Sequence, residues 1–195
     1  MWKPPECTVS GGFFLLVGWF GVSCGWDMAL LVLGAAAFHE LGHILVLNQC
    51  GARVRRLRIS MLGAVLETGG RMSYGQELAA VLAGPLANLL AAVVLGGLGC
   101  ITAAGANGVL CLFNLLPILP LDGGRALYLL LAWTAGPQTA EWGCRWTGLA
   151  AALAAFSIAV WLVRCTGGSL WLITEAGGLL AAAVGNFRDR FAGVP

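Results

Sequence analysis

MALLVLGAAAFHELGHILVLNQC, residues Met28 to Cys50, is apolar over a length sufficient to cross a bilayer, yet it carries His39, Glu40 and His43 on one turn near its middle. Some 20 residues rising 1.5 Å each cover the roughly 30 Å of hydrocarbon. An ionisable side chain at mid-span costs at least about 2.5–3.5 kcal/mol on insertion scales, so three together call for a function. The chain has two histidines, and both lie here in the pattern H-E-x-x-H. On a helix, residues four apart share a face, so both imidazoles can bind one metal ion. Glu40 points about 100° around the helix from His39, off the ligand face but within reach of a water at the metal, as a general base requires. The competing explanation is a pair of satisfied core histidines, which an apolar span makes expensive.

Composition extends the membrane reading to the whole chain. Of its 195 residues, 59% are hydrophobic and 10% charged, against about 25% charged in soluble domains. Further apolar runs cover roughly 11–26, 76–99, 106–134, 142–163 and 169–186, giving about six transmembrane helices with 28–50. The first run follows Lys3 as a signal peptide would, but without a small-residue cleavage site it reads as a retained span. Lys3, Arg53, Arg55, Arg56, Arg58, Arg71, Arg145, Arg188 and Arg190 all face the cytoplasm if both termini do. Arg164 then falls outside and Arg125 within a span. The arginines at 53–58 act as a stop signal on this reading rather than as a substrate site. Seven scattered cysteines without a C-x-x-C pair argue against a disulfide framework or a cysteine zinc site. No linker and no internal repeat divides the chain, so residues 1–195 read as one domain, and nothing suggests nucleic-acid binding.

Between the second and third runs, Leu57, Ile59 and Met61 alternate with Arg58 and Ser60, and Gly63 precedes a second short segment, Ala64 to Thr68. Period two suggests a β-hairpin at the cytoplasmic interface; an irregular amphipathic loop is the alternative. The third run contains Gly84-Pro85 and Asn88, and the fourth is interrupted by Pro117 and Pro120. Non-helical backbone at membrane depth survives where protein or a water-filled cavity surrounds it, which points to a site inside the bundle. Catalytic zinc takes three protein ligands and keeps one position open, and two imidazoles with a carboxylate suit zinc. Asp122, in NLLPILPLDGGR (114–125), is the acidic residue in the middle of an apolar run and so the candidate third ligand. An ion pair with Arg125 is its alternative. Asn114 and Asn88 are amides in apolar surroundings that either orient substrate and stabilise an oxyanion or join helices.

HELGH (39–43), AGPLAN (83–88) and NLLPILPLDGGR (114–125), in that order, resemble the site-2 protease family of intramembrane zinc metalloproteases, and the compact form looks most like its sporulation branch. The resemblance covers residues 28–134. It implies one zinc ion held by His39, His43 and Asp122, Glu40 as catalytic base, and Asn114 in the family's Asn-Pro-Asp region. It also implies hydrolysis of a membrane-bound or membrane-proximal protein, a pro-sigma factor in that branch, and a membrane-associated hairpin whose edge pairs with an unwound substrate. Leu62-Gly63-Ala64 departs from the family's Gly-Gly in the hairpin. The branch usually carries a nucleotide-sensing domain after the membrane region; the sequence stops at Pro195 without one, so either the chain is cut short or a separate membrane partner regulates it. The expected fold is an all-α polytopic membrane protein with a small membrane-associated β-hairpin after the second helix. A membrane metal transporter using the same ligands, in which Glu40 would be dispensable, and an inactive protease-like scaffold are the rivals.

Overall fold

The computed structural model describes residues 6–60, 63–69, 72–167 and 170–188. Lys3, Met61, Leu62, Arg71 and Arg190 of the preceding readings lie outside these residues. The chain forms two compact units, one ending at Phe113 and the other beginning at Asn114.

The first unit opens with β1 (Glu6–Val9), α1 (Gly11–Cys24) and α2 (Trp26–Gln49). The nearly continuous apolar stretch from 11 to 50 is divided by Gly25, whose φ of 93° is a left-handed conformation that glycine adopts without a Cβ clash. Its N–H closes α1 on the Gly21 carbonyl at 3.0 Å, and Gly21 itself is buried against the Trp26 ring. After α2 come β2 (Arg53–Ser60), β3 (Gly63–Gly69) and α3 (Tyr74–Gly97), the last opened by a reciprocal Ser73–Gln76 capping box. Leu47, Ala52 and Ala80 form a buried cluster, with Val46 and Met72 against it, that joins the end of α2 to the start of α3. Then α4 runs from Ile101 to Asn114.

The three strands form one sheet in the order β1-β2-β3. β2 and β3 pair antiparallel from Arg53↔Gly69 to Ser60↔Gly63, with an irregularity between Val54 and Arg56. β1 pairs with β2 in parallel, Glu6 facing Arg56, and the two side chains form an ion pair at 2.7 Å. Both partners are solvated, so the pair adds little beyond about 0–1 kcal/mol and serves register more than stability.

The second unit contains α5 (Asp122–Ala135), α6 (Pro137–Thr166) and α7 (Trp171–Arg188). α6 and α7 meet through small residues, with Ala152 and Ala159 buried on one and Ala176 and Ala183 on the other. Close approach of small side chains is how helices associate in lipid, where burial supplies no hydrophobic gain.

Among the described residues, three helices, α2, α3 and α6, are long and apolar enough to cross a membrane. The six expected spans need correction at the fourth. The run 106–134 is not one helix: α4 and α5 have 14 residues each and are separated by residues 115–121. Each is about 21 Å long, short of the roughly 30 Å of hydrocarbon. The cause is local, because Pro117 and Pro120 supply no N–H to a helical ladder.

Candidate metal centre

α2 presents Phe38, Leu41 and Leu45 outward and buries His39, Gly42 and His43 against α3. The contact repeats every turn. Asn88 Nδ2 donates to the Ala35 carbonyl at 3.4 Å, Gly84 lies against the His39 and His43 rings, and His43 Nδ1 donates to the Ala80 carbonyl at 2.8 Å. Thus 35, 39 and 43 on one helix run antiparallel to 88, 84 and 80 on the other. Gly42 tightens the same seam, since a Cβ there would come 2.6 Å from the Ala83 carbonyl oxygen.

The imidazoles are 4% and 7% exposed and nearly perpendicular, at 82°, with their Nε2 atoms 3.1 Å apart. Donation from His43 Nδ1 to a backbone carbonyl fixes the tautomer, so Nε2 carries the lone pair a metal needs. Two nitrogens at about 2.0–2.1 Å from one tetrahedral zinc stand about 3.3 Å apart, close to the separation found. Space for the ion is provided by Gly84. A Cβ at this position would collide with His43 Nε2 and come 2.7 Å from His39 Nε2, so any side chain would fill the volume onto which both donor atoms converge. The histidine pair fits zinc.

Glu40 follows His39 on α2 and is half-buried. In the second unit, Asn114 and Asp122 bracket the interruption, Asn114 ending α4 and Asp122 opening α5. The N-terminal turn of a helix favours a carboxylate. Gly123 and Gly124 let α5 start flush against this segment, because a Cβ on Gly123 would strike the Leu115 carbonyl, and one on Gly124 would lie 2.5 Å from the Ile118 carbonyl carbon. Asn88 is fully buried with its amide N–H directed at α2. Asn88→Ala is expected to lower stability by about 0.6–1.7 kcal/mol in denaturant titrations while zinc content is retained, the range measured for interhelical hydrogen bonds in a membrane. The sequence presents Gly84-Pro85 as a helix irregularity and as part of the AGPLAN motif, without a role for Gly84 itself. The signal for that role is the four-residue spacing of Ala80, Gly84 and Asn88, one helical face.

Residues 28–105, which hold both histidines, Glu40, Gly84 and Asn88, match peptidase family M50. The match covers less than half of the chain and is a likeness to that family over this segment. Similar proteins include a Mycobacterium tuberculosis protein named as zinc metalloprotease Rip3, 32% identical over 59% of this chain and 33% of the relative. Stage IV sporulation protein FB of Bacillus subtilis is 31% identical over 62% of this chain and 46% of its own length. The chain therefore spans between a third and a half of the length of these two curated relatives. The Site-2 Protease from Methanocaldococcus jannaschii has the same fold, with a TM-score of 0.71 at 22% identity over 96% of this chain and 94% of that one. Asp122 lies beyond the matched M50 segment.

Proposed function

We propose that the chain is a multi-pass intramembrane zinc endopeptidase, with both termini cytoplasmic, that cleaves membrane-bound or membrane-proximal proteins in the course of regulated proteolysis. His39, His43 and Asp122 hold one zinc ion per chain in a single protease domain. The observation carrying this reading is the buried histidine pair, locked by the Ala80 carbonyl and facing the side-chain-free Gly84. Bound zinc polarises a carbonyl and lowers the pKa of water toward about 7. Glu40 takes the proton of the attacking water and delivers it to the leaving amine. Asn114 orients the substrate backbone or the developing oxyanion. Asn88 serves by holding α2 to α3. The outer edge of β3 adds an unwound substrate segment as a further strand, a mode in which main-chain hydrogen bonds supply affinity. The resemblance to the sporulation branch, together with 31% identity to stage IV sporulation protein FB, favours a pro-sigma factor as the substrate.

The test is purification in detergent, zinc analysis, and incubation with a membrane-tethered pro-sigma substrate. The wild type is expected to hold about one zinc per chain and to cleave. Asp122→Ala is expected to weaken zinc binding at least about a hundredfold, more than the loss of a supporting contact, which costs about 10–100-fold. Unchanged zinc affinity would transfer the third-ligand role to another group.

A further inference from the structure

We propose that Asn186, near the end of α7, is a positioning residue that holds the segment carrying Asp122; this deepens the proposed function and rests on Asp122 as the third metal ligand. The segment from Leu115 to Leu121 lies between two helices, and with prolines at 117 and 120 its carbonyls have no regular ladder to join. Two backbone bonds fold it locally, Ile118 N–H to Leu116 at 2.7 Å and Leu121 N–H to Ile118 at 2.8 Å. The Leu119 carbonyl is met instead from a distant part of the chain, by Asn186 Nδ2 at 3.3 Å.

The neighbouring contacts make that bond directional. Ile118 is fully buried, and α6 approaches the segment through Gly148, where a Cβ would lie 3.3 Å from the Pro117 carbonyl oxygen. The segment is thus seated against α6. Beside the same contact, a cleft of about 20 Å³ is lined by Ile118, Leu119, Arg145, Gly148 and Asn186. That is room for about one water. Water replacing Asn186 would solvate the Leu119 carbonyl without fixing its direction. Asn186 itself is held in place because the adjacent Phe187 packs edge-on against Trp146 of α6, ring centroids 5.2 Å apart. Leu119 is three residues from Asp122, so a loose carbonyl there becomes a carboxylate with more orientations to lose on binding metal.

The experiment uses the full chain in detergent: wild type, Asn186→Leu, Asn186→Gln and Asp122→Ala, each measured for zinc affinity by chelator competition, for the visible spectrum of the cobalt-substituted form, and for metal-free melting. Asn186→Leu, similar in size but without a donor, is expected to bind zinc about tenfold more weakly and to alter the cobalt spectrum, as loss of a contact supporting a ligand does. Its metal-free melting is expected to match wild type, because the side chain is exposed. Asn186→Gln, which keeps the donor, is expected to recover part of the affinity. Wild-type affinity and spectrum in Asn186→Leu, with Asp122→Ala weakened, would overturn the role of Asn186 alone. Equal losses in the Leu and Gln variants would mark packing and overturn it too. Wild-type affinity in Asp122→Ala would remove the ligand reading and this inference with it.

Discussion

Glu40→Gln is expected to bind zinc as the wild type does and to cleave a membrane-tethered substrate about 10²–10⁴-fold more slowly, the range a positioned general base contributes. Glutamine keeps the length and polarity of the side chain but takes no proton at neutral pH. The metal side of the prediction follows from the helix: Glu40 is turned about 100° from His39, so the exchange leaves the Nε2 pair and the His43 bond to Ala80 in place. Zinc content and turnover must therefore separate. Paired measurements of zinc per chain and single-turnover cleavage decide the matter. Cleavage by the glutamine variant at the wild-type rate would remove Glu40 as the base; loss of zinc would instead make it part of the metal's support. A transporter built on the same ligands would show no cleavage in either protein.

The sequence disclosed what depends on near neighbours. The histidine spacing sufficed to place both rings on one buried face of α2, because a helix brings residues four apart together whatever else the chain does. The prolines at 117 and 120 signalled broken backbone within an apolar run, yet apolarity alone presented 106–134 as one crossing; hydrophobic content measures compatibility with lipid and is indifferent to where a helix ends. Contacts made at long range left no such trace. β1 is four residues long and pairs in parallel with β2, about fifty positions away, so its own sequence carries too little alternation to declare it. The bond from Asn186 to Leu119 spans 67 positions. Gly84 stands between these cases, legible in the sequence as a glycine before a proline but not in its use. A glycine before a proline looks like a helix weakness until the opposing helix is known, and only then does the missing Cβ become the space beside two imidazole nitrogens.

Gly84→Ala is accordingly expected to reduce zinc to below about a tenth of wild type, with cleavage lost in proportion, although the change adds a single methyl group and favours the helix by about 1 kcal/mol. The added Cβ would collide with His43 Nε2 and stand 2.6 Å from Cε1 of the same ring and 2.7 Å from His39 Nε2. Relief by ring rotation would break the 2.8 Å bond from His43 Nδ1 to Ala80 and turn Nε2 away from its partner. Relief by parting the helices would cost the Asn88 bond to Ala35 and open the contact of Gly42 with Ala83. Either route surrenders the metal geometry before it surrenders the fold, so far-ultraviolet circular dichroism is expected to remain that of the wild type. Gly34→Ala, on α2 where a Cβ meets nothing within 4 Å, supplies the control and is expected to keep full zinc. Wild-type zinc in Gly84→Ala would mean that the ion sits elsewhere than against α3, and the proposed centre would have to be rebuilt around other ligands.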